Sequence, residues 1–243
     1  MSSQFRLGLF GVFLFTGALV GAAQTGQNQR DSSRQTAKLE ADKNTWGVDI
    51  MASDGGFGLG LFYQREISPD LSWFTTFSIS EAKDEREVER FDPYTGLSFV
   101  PGKLNRFLVL PFYGGIQYRL FREDIVESFR PFVNAAVGPT MIYEMPFARL
   151  VPSSDGAVQV DQVDFFKAIG MGQAHYTVGG YIGFGAHFGA ERGNVFGVNF
   201  RYYIVTLLSG SLPSTYNLYN GRIEGTKRDF GGVVITLSFG STF

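Results

Sequence analysis

The chain has 243 residues, of which 44% are hydrophobic and 16% aromatic, and its formal net charge is −2. It contains no cysteine, which excludes a disulfide framework, a thiolate metal site and a lipid-anchored bacterial lipoprotein. A nucleic-acid-binding protein needs a basic stripe, so the near-neutral charge argues against a nucleic-acid partner.

The N-terminus has the pattern of a bacterial secretory signal peptide. Arg6 precedes the apolar run 7–20, and Gly21-Ala22-Ala23 supplies small residues for cleavage. A membrane-anchoring helix is the weaker interpretation, because the run is short and a polar segment follows at once. We therefore predict a signal peptide over 1–23 and a flexible periplasmic lead-in over 24–44.

From residue 45 to residue 243, apolar and small polar residues alternate in eight segments. At the C-terminus Val233, Ile235, Leu237 and Phe239 share one parity, and glycine, serine and threonine hold most of the other. A period of two is typical of a β-strand with two different faces. The predicted strands cover 46–52, 57–64, 71–80, 108–120, 130–144, 175–188, 196–204 and 229–243.

An even number of alternating strands predicts an all-β fold over 45–243, an eight-stranded antiparallel up-and-down transmembrane β-barrel. A soluble barrel would also alternate, but it would fill its polar face with Lys, Glu and Thr for contact with water. Here that face is mostly Gly, Ser and Thr, which suits a crowded interior with no room for bulky side chains. We therefore expect the large apolar face to contact lipid, and the last strand to close the barrel by pairing with 46–52.

The predicted connections alternate in length. Those at 68–70, 122–129 and 190–194 are short, whereas those at 81–104, 145–173 and 209–228 are long, with a short exception at 53–56. Periplasmic turns and extracellular loops differ in this way in outer-membrane barrels. The pattern predicts the outer membrane of a Gram-negative-type bacterium as the location, with both ends of the barrel in the periplasm.

Aromatic residues recur on the lipid-facing parity near the predicted periplasmic end. Seven of the eight strands contribute one, which is typical of a girdle at the headgroup level. The predicted girdle consists of Trp46, Tyr63, Trp73, Tyr118, Phe188, Phe196 and Phe243.

These features together resemble the small outer-membrane β-barrel proteins of the outer membrane protein A and X type. The signal peptide, the eight strands and the terminal run 234–243 carry the resemblance. It implies outer-membrane lipids as partners and recognition of the C-terminal strand, ending at Phe243, by the barrel-assembly machinery. The family includes adhesins, structural anchors, narrow channels and lipid-modifying enzymes, so the resemblance predicts architecture rather than activity.

Polar residues with inward parity predict a network inside the barrel. We expect an ion pair between Asp49 and Arg201 near mid-membrane, because each buried charge needs a partner. A second cluster near the periplasmic mouth would combine Glu66, Arg119, Arg130 and His187. Such groups either fill and stiffen the barrel or form a polar track for small solutes. The predicted network is Asp49, Glu66, Arg119, Arg130, Asn134, Glu144, His187, Asn199 and Arg201.

Three functions remain open at this point. A structural or surface-binding role through the extracellular loops is the first, a narrow passive channel the second, and an enzyme acting on outer-membrane lipid the third. The enzyme would need a histidine with an orienting carboxylate, and the spacing around His175 and His187 places none beside them. No cofactor or metal is predicted, no loop motif identifies a ligand, and we expect a monomer.

The long connection 145–173 contains an apolar pattern that admits two conformations. Val163, Phe165, Phe166 and Ile169 have helix-like spacing within 161–170. They predict either a short amphipathic helix, capping the barrel mouth or lying on the membrane surface, or an irregular loop with apolar residues tucked inward.

Overall fold

The computed structural model describes residues 43–83, 90–93, 97–100, 102–122, 128–152, 158–189, 193–217 and 222–243. Within these ranges the chain forms fourteen β-strands and one short helix, α1, at Phe165–Ile169. In chain order the strands are β1 Asn44–Ser53, β2 Gly56–Glu66, β3 Leu71–Ala82, β4 Arg90–Asp92, β5 Leu97–Phe99, β6 Asn105–Arg119, β7 Phe129–Pro146, β8 Ala148–Pro152, β9 Val158–Gln162, β10 Gln173–Phe188, β11 Gly193–Val205, β12 Leu212–Asn217, β13 Arg222–Lys227 and β14 Gly232–Thr242.

Eight strands close into the predicted barrel. Their order around it is β1-β14-β11-β10-β7-β6-β3-β2, and each pairs with its neighbours in antiparallel fashion. The last strand closes the barrel on the first, with Thr45 opposite Thr242 and Ser53 opposite Val234. Neither strand is left with an unpaired edge. The predicted fold class is confirmed, while the predicted signal peptide and the lead-in as far as residue 42 lie outside the described residues.

The outer face of the barrel is apolar and exposed. In β1, Val48 and Ile50 are exposed while Asp49 and Met51 are buried, and the same alternation continues around the barrel. Ile116 on β6 has 58% of its surface exposed, and every barrel strand presents such residues. An apolar surface of this extent is stable in lipid and not in water, so the barrel is a transmembrane barrel.

Among the described residues, no helix has the length and apolar character required to cross a membrane.

Short turns and hairpins occupy opposite ends of the barrel. The start of β1 and the end of β14 lie at the end of the barrel that carries the connections after β2, β6 and β10, which we name the turn end. The other end carries three two-stranded hairpins, β4–β5, β8–β9 and β12–β13, and is named the hairpin end. The three connections predicted as long loops therefore contain regular structure.

The lumen contains bulky aromatic side chains, which corrects the prediction of a crowded interior lined by small residues. Phe74, Tyr113, Tyr181 and Tyr203 are all buried and pack together inside the barrel. The ring centroids of Tyr181 and Tyr203 are 4.9 Å apart, and those of Tyr113 and Tyr181 are 6.0 Å apart. We name these four residues the aromatic plug.

Glycines on the inner face leave the space that the aromatic plug fills. A Cβ atom at Gly179 would overlap the Tyr113 hydroxyl oxygen. A Cβ at Gly115 would lie 2.6 Å from Cζ of Phe74 and would overlap the carbonyl oxygen of Ala135. Gly115 and Gly179 therefore leave room for large rings that come from other strands.

A matched pair of neighbouring glycines tests this packing. We expect Gly115→Ala to lower the free energy of unfolding by about 1–3 kcal/mol, because the added methyl group overfills the lumen. A Cβ at Gly114 would meet no atom within 4 Å, so Gly114→Ala serves as the control. It should change stability by no more than about 1 kcal/mol. Denaturant titration of the folded barrel in detergent measures both, and equal effects would contradict the account.

A second buried cluster closes one side of the hairpin end. Inward residues of β6, β7 and β11 pack against residues from β12 and from the segment after β13. The rings of Phe107 and Phe230 meet edge to face with centroids 5.4 Å apart. The cluster consists of Phe107, Val109, Ile142, Val205, Leu207, Leu212 and Phe230. The inner face is thus apolar at this end, although the alternation predicted a small and mostly polar one.

Candidate functional site: the closed lumen and its two ends

A buried ion pair occupies the centre of the lumen. Nη1 of Arg201 lies 2.9 Å from Oδ2 of Asp49, and both side chains are buried. The hydroxyl of Ser238, on the intervening strand β14, donates a hydrogen bond of 2.6 Å to Oδ1 of Asp49. These are the two groups for which the sequence predicts an ion pair.

The ion pair lies directly against the aromatic plug. Cζ of Arg201 is 5.0 Å from the centroid of the Tyr181 ring, a distance at which a guanidinium is attracted to the ring face. Tyr113, Tyr181 and Tyr203 were not among the predicted lumen residues, although their parity on β6, β10 and β11 is inward. Charge and aromatic bulk together fill the cross-section of the barrel.

The polar residues between the ion pair and the turn end leave little free volume. Gln117, Asn134, His187 and Asn199 surround a cavity of about 20 Å³. One water molecule needs roughly 10–15 Å³ of such volume, so this cavity has room for about one water.

The predicted cluster at the periplasmic mouth is gathered around one cavity. Glu66, Arg119, Arg130 and His187 all line a space of about 60 Å³ at the turn end. The His187 ring packs on Phe132 with centroids 4.5 Å apart. The two arginines and the glutamate therefore share a confined polar space with the imidazole.

Glu144 stands apart from the rest of the predicted network. It lies at the hairpin end, where Oε2 is 3.0 Å from Nε2 of His175. Oε1 accepts a hydrogen bond of 2.5 Å from Asn105, whose Nδ2 also donates to the carbonyl of Pro213 at 2.8 Å. The nine predicted lumen residues thus fall into a central pair, the adjacent layer with Asn134 and Asn199, a turn-end group of four and this hairpin-end contact.

The place of the Glu144 carboxylate beside His175 was not predicted. Glu144 comes from the adjacent strand β7, and the pairing of Gln173 with Glu144 sets the two side chains side by side. Only the strand register, which the sequence does not provide, brings them together. Among the described residues, the hydrogen bonds of His175 involve this carboxylate and no hydroxyl group. In that same part of the chain, no three His, Asp or Glu side chains are arranged to hold a metal ion.

An open vestibule lies on the other side of the aromatic plug. Its volume is about 660 Å³, and its wall includes Met51, Asp54, Lys83 and Tyr203. Because the turn between β1 and β2 is short, the wall of the vestibule is low beside these two strands. Nζ of Lys227, from the β12–β13 hairpin, reaches across to the carbonyl of Lys83 at 2.6 Å. The vestibule is therefore reached from the hairpin end and ends at the plug.

The seven predicted girdle residues lie on the outer face toward the turn end. Tyr63 and Trp73 meet edge to face at 5.6 Å between ring centroids, and Phe188 and Phe196 are 5.9 Å apart. Two further rings extend the band, because Phe129 contacts Phe188 at 5.4 Å and Phe239 contacts Phe196 at 5.3 Å. Phe129 was missed because the predicted strand began one residue later, and Phe239 because only one residue of the last strand was assigned.

Comparison with known proteins gives structural matches only. No protein-family model and no curated protein sequence matches the chain. Among solved structures it is similar to Ail, the attachment invasion locus protein of Yersinia pestis, with 12% identity, a TM-score of 0.39 and coverage of 83% of this chain and 97% of that chain. It is also similar to OprG of Pseudomonas aeruginosa, with 13% identity, a TM-score of 0.42 and coverage of 84% and 96%. A major outer membrane protein of Thermus thermophilus matches with 11% identity, a TM-score of 0.46 and coverage of 83% and 99%.

The architecture of the chain itself identifies its class. Eight antiparallel strands close without an edge, the exterior is apolar with an aromatic band, and the centre of the lumen is packed. Closure lets every strand satisfy its backbone hydrogen bonds inside a lipid bilayer, and the apolar exterior is stable against lipid. The chain is a small eight-stranded transmembrane β-barrel protein.

Proposed function

We propose that the protein is a non-conducting barrel with a structural or surface-binding role, exercised through the hairpins at its hairpin end. The observation that carries the proposal is the filled lumen. The aromatic plug and the Asp49–Arg201 pair occupy its centre, and the cavity next to them has a volume of only about 20 Å³. A passive channel needs a continuous wet path, so the packed centre supports the non-conducting barrel over the channel.

The hairpin end is the extracellular end in this proposal. Its hairpins extend the barrel beyond the membrane, and the vestibule of about 660 Å³ opens among them. Outer-membrane barrels carry their longer connections on the cell surface and their short turns in the periplasm. Binding of an extracellular partner would use these exposed elements, held by a rigid barrel.

We expect the wild-type barrel to give no single-channel steps in planar bilayers and no swelling of liposomes in small sugars. The filled lumen is the physical reason. The folded state is checked on a gel, where an unheated barrel migrates differently from the boiled chain. Reproducible conductance from protein that passes this check would contradict the proposal and favour the narrow channel.

An enzyme acting on lipid is not favoured by the contacts of His175. Its carboxylate partner is also held by Asn105, which in turn bonds the backbone of Pro213. These contacts tie β6, β7, β10 and β12 together, so we assign them a structural role. Mass spectra of lipid A from cells with and without the gene should be identical, and a change in acylation would overturn this assignment.

A further inference from the structure

The helix α1 lies on the outer wall of the barrel rather than over its mouth. Its buried residue Ala168 packs with Val163 on Met145, and Leu108 and Tyr143 border this contact. Leu108, Tyr143 and Met145 alternate with the inward residues Phe107, Ile142 and Glu144, so they belong to the lipid-facing side. The Tyr143 hydroxyl donates a hydrogen bond of 2.5 Å to the carbonyl of Ile169, which fixes the helix to the wall.

The position of the helix along the barrel matches the second membrane interface. Leu108, beneath the helix, and Tyr118, in the girdle at the turn end, are ten residues apart on β6. With a rise of about 3.3 Å per residue and a strand tilt of about 40°, that is a height of about 25 Å. The apolar band of an outer-membrane barrel is also about 25 Å tall. The helix is therefore level with the headgroups on the hairpin side.

The outward surface of the helix is apolar. Phe166 is 82% exposed, and Phe165 and Ile169 are also exposed. Such side chains are favourable at the boundary between headgroups and acyl chains, where amphipathic helices lie in the membrane plane.

Three basic residues surround these apolar side chains. Cζ of Arg106 lies 4.6 Å from the ring centroid of Phe147 and 5.8 Å from that of Phe165. The Arg149 guanidinium contacts the sulfur of Met171 at 2.6 Å, and Lys167 lies in the last turn of α1. We name Arg106, Arg149, Phe165, Phe166, Lys167 and Ile169 the wall platform.

Asp161 and Asp164 are the carboxylates near the platform within the described residues, and neither forms an ion pair with its cations there. Asp164 caps the helix, accepting a hydrogen bond of 3.0 Å from the backbone N–H of Phe166. Asp161 is opposite Arg149 in the β8–β9 register, yet the guanidinium turns to Met171 instead.

We propose that the wall platform binds the phosphate groups of lipid headgroups in the outer leaflet. Phe165, Phe166 and Ile169 would enter the apolar boundary, and the cations Arg106, Arg149 and Lys167 would face the phosphates. The inference rests on the proposed orientation of the hairpin end and is independent of whether the lumen conducts. Phosphates favour clustered guanidinium and ammonium groups because these provide charge-assisted hydrogen bonds.

The test compares two double substitutions that remove the same charge from the same end of the barrel. Arg149→Gln/Lys167→Gln removes two cations of the wall platform. Arg222→Gln/Arg228→Gln removes two exposed cations on and beside β13. The full barrel in detergent is titrated with lipid A and, separately, with phosphatidylcholine, and bound lipid is counted by native mass spectrometry. Gel mobility before and after heating confirms that each variant is folded.

We expect the wild type to prefer lipid A and the platform variant to bind it about 25-fold more weakly, because each basic residue near an anionic lipid surface contributes about fivefold. The β13 variant should bind as the wild type does. Equal losses in both variants, or none in the platform variant, would overturn the proposal. Displacement of lipid A by inorganic phosphate at equal concentration would also overturn it, since the site would then take a free anion. A barrel that conducts would refute the proposed function and leave this result unchanged.

Discussion

Replacing Asp49 with alanine is expected to lower the free energy of unfolding by about 3–5 kcal/mol, the cost typical of removing one partner of a buried ion pair. Arg201 would keep its charge inside the lumen while losing the carboxylate 2.9 Å away. The Ser238 hydroxyl would lose its acceptor at the same time. Denaturant titration of the barrel in detergent or lipid vesicles measures the loss.

Asp70→Ala provides the matched control for this prediction. Asp70 also faces an arginine, Arg122, but at 4.0 Å and with both side chains partly exposed. Exposed ion pairs contribute about 0–1 kcal/mol, so this variant should remain close to the wild type. A double variant, Asp49→Leu/Arg201→Met, should lose less than Asp49→Ala because no unpaired charge remains. If Asp49→Ala lost no more than Asp70→Ala, the central pair would not stabilise the barrel.

The Asp49–Arg201 contact illustrates how far sequence periodicity reaches. Parity places both side chains inside, and their positions in the first and seventh barrel strands place β14 between them. Parity does not give the distance between the two side chains. Asp49 is in register with Ser238 and Arg201 with Val234, so their partners on β14 are four residues apart. Strand tilt and the length of the arginine side chain span that offset.

The aromatic plug and the hairpins are features that the periodicity of the sequence does not predict. Tyr113, Tyr181 and Tyr203 have inward parity, but whether the lumen admits them depends on glycines of other strands, such as Gly179 on β10 for Tyr113 on β6. That correspondence exists only once the register is known. Strands of three to six residues, as in β4–β5 and β12–β13, are too short for an alternation that a sequence alone would reveal.

Replacing Tyr181 with alanine is the second change with a large expected effect. Tyr181 is 2% exposed and contacts the rings of Phe74, Tyr113 and Tyr203 as well as the Arg201 guanidinium. Removing a buried aromatic ring costs about 3–5 kcal/mol, since its packing is lost and a cavity remains. The cavity would also connect the vestibule to the polar layer below it, so we expect this variant to admit small ions in planar bilayers where the wild type does not.

Tyr176→Ala separates the packing of the lumen from a general effect of losing a tyrosine. Tyr176 lies on the same strand, β10, but faces outward with 74% of its surface exposed. Its removal should leave both the free energy of unfolding and the conductance close to wild-type values, because its side chain lies outside the lumen. Equal destabilisation by the two substitutions would mean that the plug has no special role in stability. If Tyr181→Ala kept the wild-type free energy of unfolding and gave no conductance, the barrier to ions would lie elsewhere in the lumen. The Asp49–Arg201 pair would then be the next group to replace.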